Sequence, residues 1–505
     1  MDHNMNKAVW VAGLSETMPL TPLDYTAPQN YIMRSFGFPF PSNLETERLA
    51  AVTYLKARLA RAFSLLPFLA GQIIHAREGE LPRLVYPGEG YPSNLDSFPD
   101  EVFDHQVLES ALFPWTFEQL SALGVPAASM TKHLLWLLPK TDLAPGDTCH
   151  PVTLRVTFID GGLILGFSLH HGVMDGTGTV DFLNYFASDT LDGLDNLQHR
   201  KTNLRNFADN IASTTPIDVH SLAGYDFTTT PPPTPLPPAA AIAKILSISS
   251  QRATALHAAT LAQIRATHGP QAFVSQTDTL CALVWVHVTR ARLHAGHIRP
   301  HDTTRFTTAV DIRRRCCKGL FPDHGYIGNL FVRVLASATV NDLVGGGDLA
   351  TLASTAQIAG AAWLIREAIR GLLDDEDDDD STLRSHLAVA ARAARGGEEV
   401  GLTCAGVDAA VRRAIARHST GLDASVGVGL GADVVWDIPG VPGGGKASWV
   451  RRAYVANDGA MNVLPRRGGT KGGENWEVWL ALREEDMTTL EGQGELGGYL
   501  CRPPA

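Results

Sequence analysis

The sequence lacks the features that would place this protein in several common classes. It has only six cysteines in 505 residues, and they do not show the paired spacing of a zinc or redox site. No apolar run approaches the roughly 18 residues that a membrane-spanning helix needs. The first residues also lack the basic and apolar regions of a secretory signal. We therefore expect free thiols, no bound metal ion, no membrane span and a cytoplasmic protein.

Basic residues are too few for a protein that binds nucleic acid. Lysine and arginine number 42 against 53 acidic residues, and the formal net charge of −11 disfavours contact with nucleic acids or anionic membranes. Residues 374–380 are all acidic, so this run repels itself and is predicted to be a solvated loop. The length of 505 residues is enough for about two domains with buried cores, and a composition of 45% apolar and 19% charged residues predicts that the chain folds.

Segments with strand and helix periodicity alternate along the chain, which favours a layered α/β architecture. Residues 231–240 are rich in proline and predict an extended linker. This linker would join an N-terminal domain, 1–230, to a C-terminal domain, 241–505. The elements predicted after the linker are strands at 245–248 and 477–482 and helices at 250–268, 276–295, 350–373, 382–395 and 484–490.

The most informative stretch is 170–176, where two adjacent histidines precede three spacers, an aspartate and a glycine. The segments before it, 152–159 and 163–169, are predicted to be two strands joined by a glycine-rich turn. An amphipathic helix is predicted at 180–191. The histidines, the aspartate and the glycine would therefore lie between the end of a strand and the start of a helix.

Alternation along the second strand distinguishes the two histidines. His171 is expected on the apolar face of this strand and His170 on the opposite face. Burial disfavours the imidazolium form, so a buried His171 would stay neutral and could accept a proton near neutral pH. His171 is our candidate general base, and Asp175 is expected to be structural.

Two alternative interpretations of the histidine pair remain open. The histidines could be core residues whose ring nitrogens are hydrogen-bonded, or they could bind a metal ion together with the aspartate. Neighbouring residues of a strand point to opposite faces, however, so a single metal ion would reach both histidines only if the strand were broken. We therefore predict no metal ligands in this stretch.

The motif is the HHxxxDG signature of the coenzyme A-dependent acyltransferase superfamily. This superfamily includes plant BAHD acyltransferases, chloramphenicol acetyltransferase and the condensation domains of peptide synthetases. Residues 20–24 resemble the opening segment of the BAHD enzymes, and 273–285 resemble the helix that begins their second half. Residues 306–313 together with 326–329 are similar to a third block. Within this superfamily, the sequence resembles most the fungal branch that includes trichothecene 3-O-acetyltransferase.

This resemblance implies both a fold and a reaction. The fold would be two chloramphenicol acetyltransferase-like domains, each a mixed sheet flanked by helices, with a channel between them. His171 would lie in the channel, where acyl-coenzyme A meets a hydroxylated secondary metabolite. The implied reaction is direct O-acyl transfer in a ternary complex, most commonly of an acetyl group, by a monomer with no permanently bound cofactor.

The resemblance also implies residues that support the site. Asp175 would turn away from the base and pair with Arg313, and Gly176 completes the motif. The DFGWG motif of the plant enzymes is missing near the C-terminus. Residues 435–445 stand in its place, with Asp437 as the counterpart of its aspartate.

A cluster of basic residues follows Arg313. Arg314, Arg315 and Lys318 are candidates for binding the phosphates of coenzyme A, because guanidinium groups form bidentate contacts with such groups. Arg451 and Arg452 are a second candidate pair. A solvated or structural arginine face is the alternative interpretation of these residues.

Two further functions remain open beside the acyl-coenzyme A-dependent O-acyltransferase. A condensation-type enzyme would take its acyl group from a carrier protein, and turnover with free acyl-coenzyme A would distinguish the two. A binding protein of the same fold could also have lost catalysis, but the intact His171, Asp175 and Gly176 oppose this interpretation.

Overall fold

The computed structural model describes most of the chain in thirteen stretches. These are residues 14–75, 81–87, 99–138, 146–188, 197–214, 241–313, 326–345, 353–372, 381–395, 421–425, 430–465, 474–492 and 495–501. Among the helices in these stretches, none combines the length and the apolar character needed to cross a membrane.

Strands and helices are interleaved along the described chain. The strands are β1 (Leu14–Met18), β2 (Tyr31–Pro39), β3 (Gln72–Ile74), β4 (Arg83–Pro87), β5 (Phe103–Val107), β6 (Thr148–Cys149), β7 (Val152–Ile159), β8 (Gly162–His170), β9 (Ala241–Ile248), β10 (Thr303–Asp311), β11 (Phe331–Thr339), β12 (Leu422–Ser425), β13 (Trp449–Arg452), β14 (Ala460–Leu464) and β15 (Trp476–Arg483). The helices are α1 (Pro22–Thr26), α2 (Glu45–Leu65), α3 (Phe117–Ala122), α4 (Lys132–Leu135), α5 (Gly176–Ala187), α6 (Leu197–Thr214), α7 (Ser250–His268), α8 (Gln276–His294), α9 (Val340–Val344), α10 (Thr355–Arg370), α11 (Ser381–Arg395) and α12 (Glu484–Leu490).

The first large sheet has five strands in the order β13-β2-β8-β7-β5. Its central strand, β8, runs antiparallel to β2 and β7, whereas β5 runs parallel to β7. All nine residues of β8 are buried, so both faces of the sheet are covered at its centre. On one face, Phe167 of β8 packs edge-on against Phe186 of α5, with ring centroids 5.3 Å apart.

The second large sheet has six strands in the order β11-β10-β12-β14-β15-β9. It is also mixed, because β12 pairs in parallel with both β10 and β14. Helix α8 packs in its core, and every residue from 278 to 292 is buried, as expected for a helix that is apolar on most of its surface. A smaller antiparallel sheet has the order β1-β4-β3-β6. The two mixed sheets flanked by helices confirm the predicted α/β class.

Two late elements return to the first large sheet and its helices. Strand β13 pairs antiparallel with β2, so that Trp449 lies opposite Gly37 and Arg452 lies opposite Arg34. Helix α11 packs against α6 and α1. The proline-rich linker predicted at 231–240 lies outside the described residues, and the division into domains at that point stays a prediction.

Most of the predicted elements are confirmed. The hairpin of β7 and β8, helices α7, α8, α11 and α12 and strand β15 lie where the sequence predicts them, and β9 contains the strand predicted at 245–248 but begins at Ala241. Two helix starts are wrong, because polar side chains cap the helices at other positions. The helix predicted from residue 180 begins at Gly176, after Asp175, and the helix predicted from residue 350 begins at Thr355, after Ser354. The acidic run 374–380 lies outside the described residues.

Candidate active site

The HHxxxDG motif forms the end of a strand, a turn and the start of a helix. Strand β8 ends at His170, whose backbone N–H donates to the carbonyl of Pro151 at 2.8 Å. The chain turns over residues 171–173. The Asp175 side chain then accepts a hydrogen bond from the N–H of Gly178 at 2.8 Å and caps α5. The sequence therefore places two histidines and one aspartate at a sharp change of chain direction.

His170 is a buried and neutral side chain. It is 3% exposed, and its ring meets Tyr31 edge-on with centroids 5.0 Å apart. Burial, followed by the proximity of His171 and His75, lowers the pKa of His170 to about 3. Its Nδ1 atom lies 3.2 Å from the N–H of Gly172, which donates to it. The proton of the neutral ring is therefore on Nε2.

His171 occupies the turn and is half-buried. Its ring lies near Phe331 of β11, with centroids 5.5 Å apart, and its Nδ1 atom is 3.2 Å from Oδ1 of Asn329. Burial lowers the pKa of His171 below its ordinary value, and contacts with its own carbonyl, Asp175 and Asn329 offset only part of that effect. The neutral imidazole is therefore the favoured form at neutral pH.

The alternation expected to distinguish the two histidines does not do so. Strand β8 ends one residue before His171, and both faces of β8 are buried. The expectation that only His171 has apolar surroundings is therefore wrong, because burial keeps both rings neutral. The two histidines differ instead in the group that each Nδ1 atom meets.

Asn329 fixes the position of the proton on His171. The Nδ2 group of Asn329 donates to the carbonyl oxygen of His171 at 2.8 Å and to Oδ1 of Asp24 at 3.0 Å. Both partners only accept, so the amide is oriented with its oxygen toward Nδ1 of His171. Since an amide oxygen cannot donate, Nδ1 carries the proton. The Nε2 atom of His171 then has a free lone pair that can accept a proton.

Asp175 forms a buried bidentate ion pair with Arg313. The two Nη atoms of Arg313 donate to the two carboxylate oxygens of Asp175, at 2.9 Å each. Burial alone would raise the pKa of Asp175, but Arg313 and two backbone N–H donors lower it overall, so the carboxyl group stays ionised. The contact implied by the resemblance is present, and the hydrogen bonds of the Asp175 carboxylate go to Arg313 and backbone N–H groups instead of His171.

The same ion pair holds the segment that carries Asn329. The N–H of Leu330 donates to Oδ2 of Asp175 at 2.8 Å, and Arg313 donates to the carbonyl of Gly328 at 3.0 Å. The motif loop and residues 328–330 are thus fixed to each other by charge-assisted hydrogen bonds.

The remaining predicted residues lie in different places. Gly176 is the first residue of α5, and its carbonyl is 3.5 Å from Nη2 of Arg34. Asp437 is exposed in a loop that is closed by backbone hydrogen bonds of 2.8 Å between Trp436 and Gly445. The three candidates for phosphate binding lie outside the described residues; they are Arg314, Arg315 and Lys318.

The second basic pair is engaged with other side chains. Arg451 is buried and forms an ion pair with Glu477 at 2.9 Å, and it also donates to the carbonyl of Gly124 at 2.8 Å. Arg452 lies over the ring of Trp479, 4.3 Å from its centroid. Arg451 therefore has a structural role, as the alternative interpretation expected.

Charged residues also line a separate cavity of about 250 Å³. They pair with one another, Arg292 with Asp458 at 2.7 Å and His297 with Asp486 at 2.9 Å. None of the motif residues lines this cavity. Within the described residues, no group of three or more histidine, cysteine or acidic side chains is arranged to hold a metal ion.

Sequence reasoning missed three residues behind the site: Asn329, Asp24 and Lys201. The Lys201 ammonium lies 2.9 Å from the Asp24 carboxylate, and both side chains are completely buried. Asn329 and Asp24 belong to two segments that resemble the family, 326–329 and 20–24. The resemblance therefore indicates their positions but not their roles. The sequence gives no comparable signal for Lys201.

The sequence of the chain is similar to two family profiles and to several known proteins. The profile of the trichothecene 3-O-acetyltransferase-like N-terminal domain matches residues 31–189, and that of the Transferase family matches residues 121–356. A trichothecene 8-O-acetyltransferase from Fusarium sporotrichioides is 27% identical over 499 residues, which are 94% of this chain and 96% of the relative. The acyltransferase cm3D from Cordyceps militaris is 26% identical over 381 residues, which are 72% of this chain and 76% of the relative.

A solved structure shares the fold over nearly the whole chain. F. graminearum TRI101, complexed with coenzyme A and deoxynivalenol, superposes with a TM-score of 0.72 and is 20% identical. The match covers 97% of this chain and all of that protein. At this level of identity the match establishes the two-domain architecture and does not by itself assign a substrate.

Proposed function

We propose that this chain, which is similar to the trichothecene 3-O-acetyltransferase-like N-terminal domain over residues 31–189 and to the Transferase family over residues 121–356, transfers an acyl group from acyl-coenzyme A to a hydroxyl group of a small molecule. The observation that carries the proposal is the state of His171. Its ring is neutral, its Nδ1 proton is directed at Asn329, and its Nε2 lone pair is free to act as a general base.

In the proposed reaction, Nε2 of His171 takes the proton from the acceptor hydroxyl while the oxygen attacks the thioester carbonyl. A new carbon–oxygen bond forms, and the carbonyl becomes a tetrahedral oxyanion. Its collapse breaks the carbon–sulfur bond, and the imidazolium returns the proton to the departing thiolate. The products are an ester and free coenzyme A. No acyl-enzyme forms, so both substrates must be bound together.

Asp175 acts in this proposal as a positioning residue. Its carboxylate is fully engaged with Arg313, Gly178 and Leu330, so it cannot take up a proton from His171 without losing these contacts. A buried bidentate pair of this kind fixes geometry more reliably than it adds net stability. We propose that the pair holds the turn at a distance suited to the acceptor hydroxyl.

The family suggests the nature of the two substrates. We propose acetyl-coenzyme A as the donor and a hydroxylated secondary metabolite as the acceptor, since a matched relative is named an O-acetyltransferase and a protein of the same fold was solved with coenzyme A and deoxynivalenol. Arg314, Arg315 and Lys318 remain our candidates for the coenzyme A phosphates. We further propose that the protein is a cytoplasmic monomer that meets both substrates in a channel between its two domains.

Thiol release from a donor and acceptor panel tests the proposal. The purified chain would be incubated with acetyl-coenzyme A and longer acyl donors, and with hydroxylated terpenoids, polyketides and alkaloids. We expect thiol release that depends on an acceptor, ester formation detected by mass spectrometry, and loss of both in His171→Ala. Turnover only with an acyl group on a carrier protein would overturn the proposed donor, and full activity of His171→Ala would overturn the proposed base.

A further inference from the structure

Asp24 carries more hydrogen bonds than its place in a helix cap requires. In the capping box of α1, the N–H of Thr21 donates to Oδ2 of Asp24 at 2.9 Å, and the N–H of Asp24 donates to Oγ1 of Thr21 at 3.2 Å. The same carboxylate also accepts from Nζ of Lys201 at 2.9 Å and from both N–H and Nδ2 of Asn329 at 3.0 Å each. The carboxylate thus accepts four hydrogen bonds, and helix capping accounts only for the one from the N–H of Thr21.

A charged side chain is not needed for capping in this protein. The capping boxes of α3 and α10 use the neutral Gln119 and Gln357 at the same position, both near the surface. At α1 the chain instead buries a carboxylate and the ammonium of Lys201, each fully removed from water. Dehydrating two charges costs more free energy than a helix cap contributes. The ion pair therefore calls for a role beyond the cap.

The contact with Asn329 supplies such a role. If the amide of Asn329 rotated by half a turn, its oxygen would face Oδ1 of Asp24 across about the distance of a hydrogen bond. Two oxygens that only accept would then repel each other. The rotated amide would also present N–H groups to Nδ1 of His171, which would then have to accept. An ionised Asp24 thus opposes the orientation that would move the proton of His171 to Nε2.

Lys201 is the buried cationic partner of this carboxylate. The ammonium lies 2.9 Å from Oδ2 of Asp24 and 5.7 Å from the centroid of the Tyr326 ring. The carboxylate that is paired with this ammonium offers Asn329 acceptor atoms only, and the orientation of Asn329 depends on those acceptors.

We propose that the Asp24–Lys201 ion pair is a positioning element that, through Asn329, keeps His171 in the tautomer with its proton on Nδ1. The proposal deepens the function described above and rests on it, because the tautomer matters only if Nε2 of His171 is the base. Neither member of the pair touches the reacting atoms. Their effect reaches the substrate through one amide and one imidazole.

The test removes both charges together, so that no buried charge is left alone. In the double variant Asp24→Asn, Lys201→Met, residue 24 can donate as well as accept, so one of the two acceptors that oppose the rotated amide is lost and only the carbonyl of His171 remains. Free histidine in water favours the tautomer protonated on Nε2. We expect the ¹⁵N resonances of His171, assigned by their loss in His171→Gln, to shift toward that tautomer, and kcat to fall by roughly 3–10-fold with little change in the KM of the acceptor.

A second capping box provides the matched control. In α8, Asp278 accepts from the N–H of Ser275 at 2.7 Å and also forms an ion pair with Arg366, but it does not contact the motif. The control variant Asp278→Asn, Arg366→Met removes a capping carboxylate and its ion pair, which is partly exposed. We expect it to lower the melting temperature by no more than the first double variant does, while the tautomer of His171 and kcat stay unchanged.

The outcomes separate this proposal from the proposed function. If the wild-type ring of His171 carries its proton on Nε2, the proposal is overturned whether or not the variants fold. It is also overturned if the Asp24 double variant keeps both the tautomer and kcat, or if the control variant changes them equally. If the wild type has the Nδ1–H tautomer but transfers no acyl group, the proposed function fails and the positioning of the ring stands.

Discussion

His170 and His171 are adjacent in the sequence, but the Nδ1 atom is an acceptor in the first ring and a donor in the second. The Nδ1 atom of His170 accepts a hydrogen bond from the backbone N–H of Gly172, whereas Nδ1 of His171 faces an amide oxygen and must donate. Both rings are kept neutral by burial. The comparison teaches that burial alone does not make a histidine a base. The partner of the second nitrogen decides which lone pair is free, and the end of the strand decides which ring reaches the site.

Removal of each ring in turn is the most direct way to break this comparison. We expect His171→Ala to lower kcat by about 10²–10⁴-fold, because the general base is lost. His170→Phe should keep the edge contact with Tyr31 and change kcat by less than about threefold, since no proton transfer passes through His170. Steady-state kinetics with the best acceptor would measure both variants. Equal losses in the two variants would contradict the division of roles.

The ion pair next to His171 should have the next largest effect. Asp175→Asn leaves the buried Arg313 with Asp311, 3.3 Å away, as its acidic partner, and we expect it to destabilise the fold by no more than about 3–5 kcal/mol and to lower kcat by less than His171→Ala does. Asp104→Asn is the matched control. Asp104 lies on the edge strand β5 and forms an ion pair at 3.0 Å with Arg155 of β7, and this pair is partly exposed to solvent.

For this control we expect a loss of no more than about 1 kcal/mol and an unchanged kcat. Thermal unfolding and kinetics together would test both variants. A kcat for Asp175→Asn equal to that of the wild type would show that the ion pair does not position the motif loop.

The pH dependence should sharpen the comparison further. A general base must be neutral, so kcat/KM should rise with pH through the lowered pKa of His171 and level off above it, with its acid limb below the ordinary pKa of about 6.5. The free energy of unfolding should also fall as pH drops below about 6.5. The histidines of the unfolded chain bind protons in this range, whereas the buried rings of the folded chain stay neutral.

His170→Phe separates these two effects. This variant should remove the part of the acid-induced loss of stability that comes from His170, whose pKa in the folded protein is about 3. The acid limb of kcat/KM should stay in place. Denaturant unfolding and kinetics over the same pH range would measure the two quantities. Movement of the acid limb in this variant would mean that His170 takes part in the titration of the base.

The smallest effect is expected at the aromatic neighbour of His170. Tyr31→Phe removes a hydroxyl that donates to the carbonyl of His150 at 2.7 Å, but it keeps the ring against His170. We expect a loss of about 1 kcal/mol in the free energy of unfolding and no change in kcat. Denaturant unfolding would measure the first quantity, and a drop in kcat would show that the surroundings of His170 influence the base.

The sequence predicts local structure well where periodicity and caps act within a few residues. The β7–β8 hairpin, α7 and α12 follow from alternation, helical periodicity and flanking polar residues. The position of the histidine pair where a strand ends and a turn begins follows in the same way. Helix α5 begins at Gly176 and not at the predicted residue 180, because the Asp175 side chain caps the helix.

The site depends on contacts that sequence patterns do not encode. Asn329 is 158 residues from His171, and Lys201 is 177 residues from Asp24. The pairing of Asp175 with Arg313 was available only through the family resemblance. Hydrogen bonds of this range arise when separate elements pack together, and the spacing of residues along one element carries no information about them.

The position of β13 has a consequence for synthesis of the chain. Strand β13 covers the edge of β2, the neighbour of the strand that carries the histidines. About 410 residues separate the end of β2 from the start of β13, so a ribosome must synthesise all of them before this edge is paired, and until then β2 exposes unpaired backbone groups that can pair with another molecule. Yield from the cell should consequently depend on holdase chaperones, and release of the nascent chain before residue 449 should give aggregates in place of a stable N-terminal half.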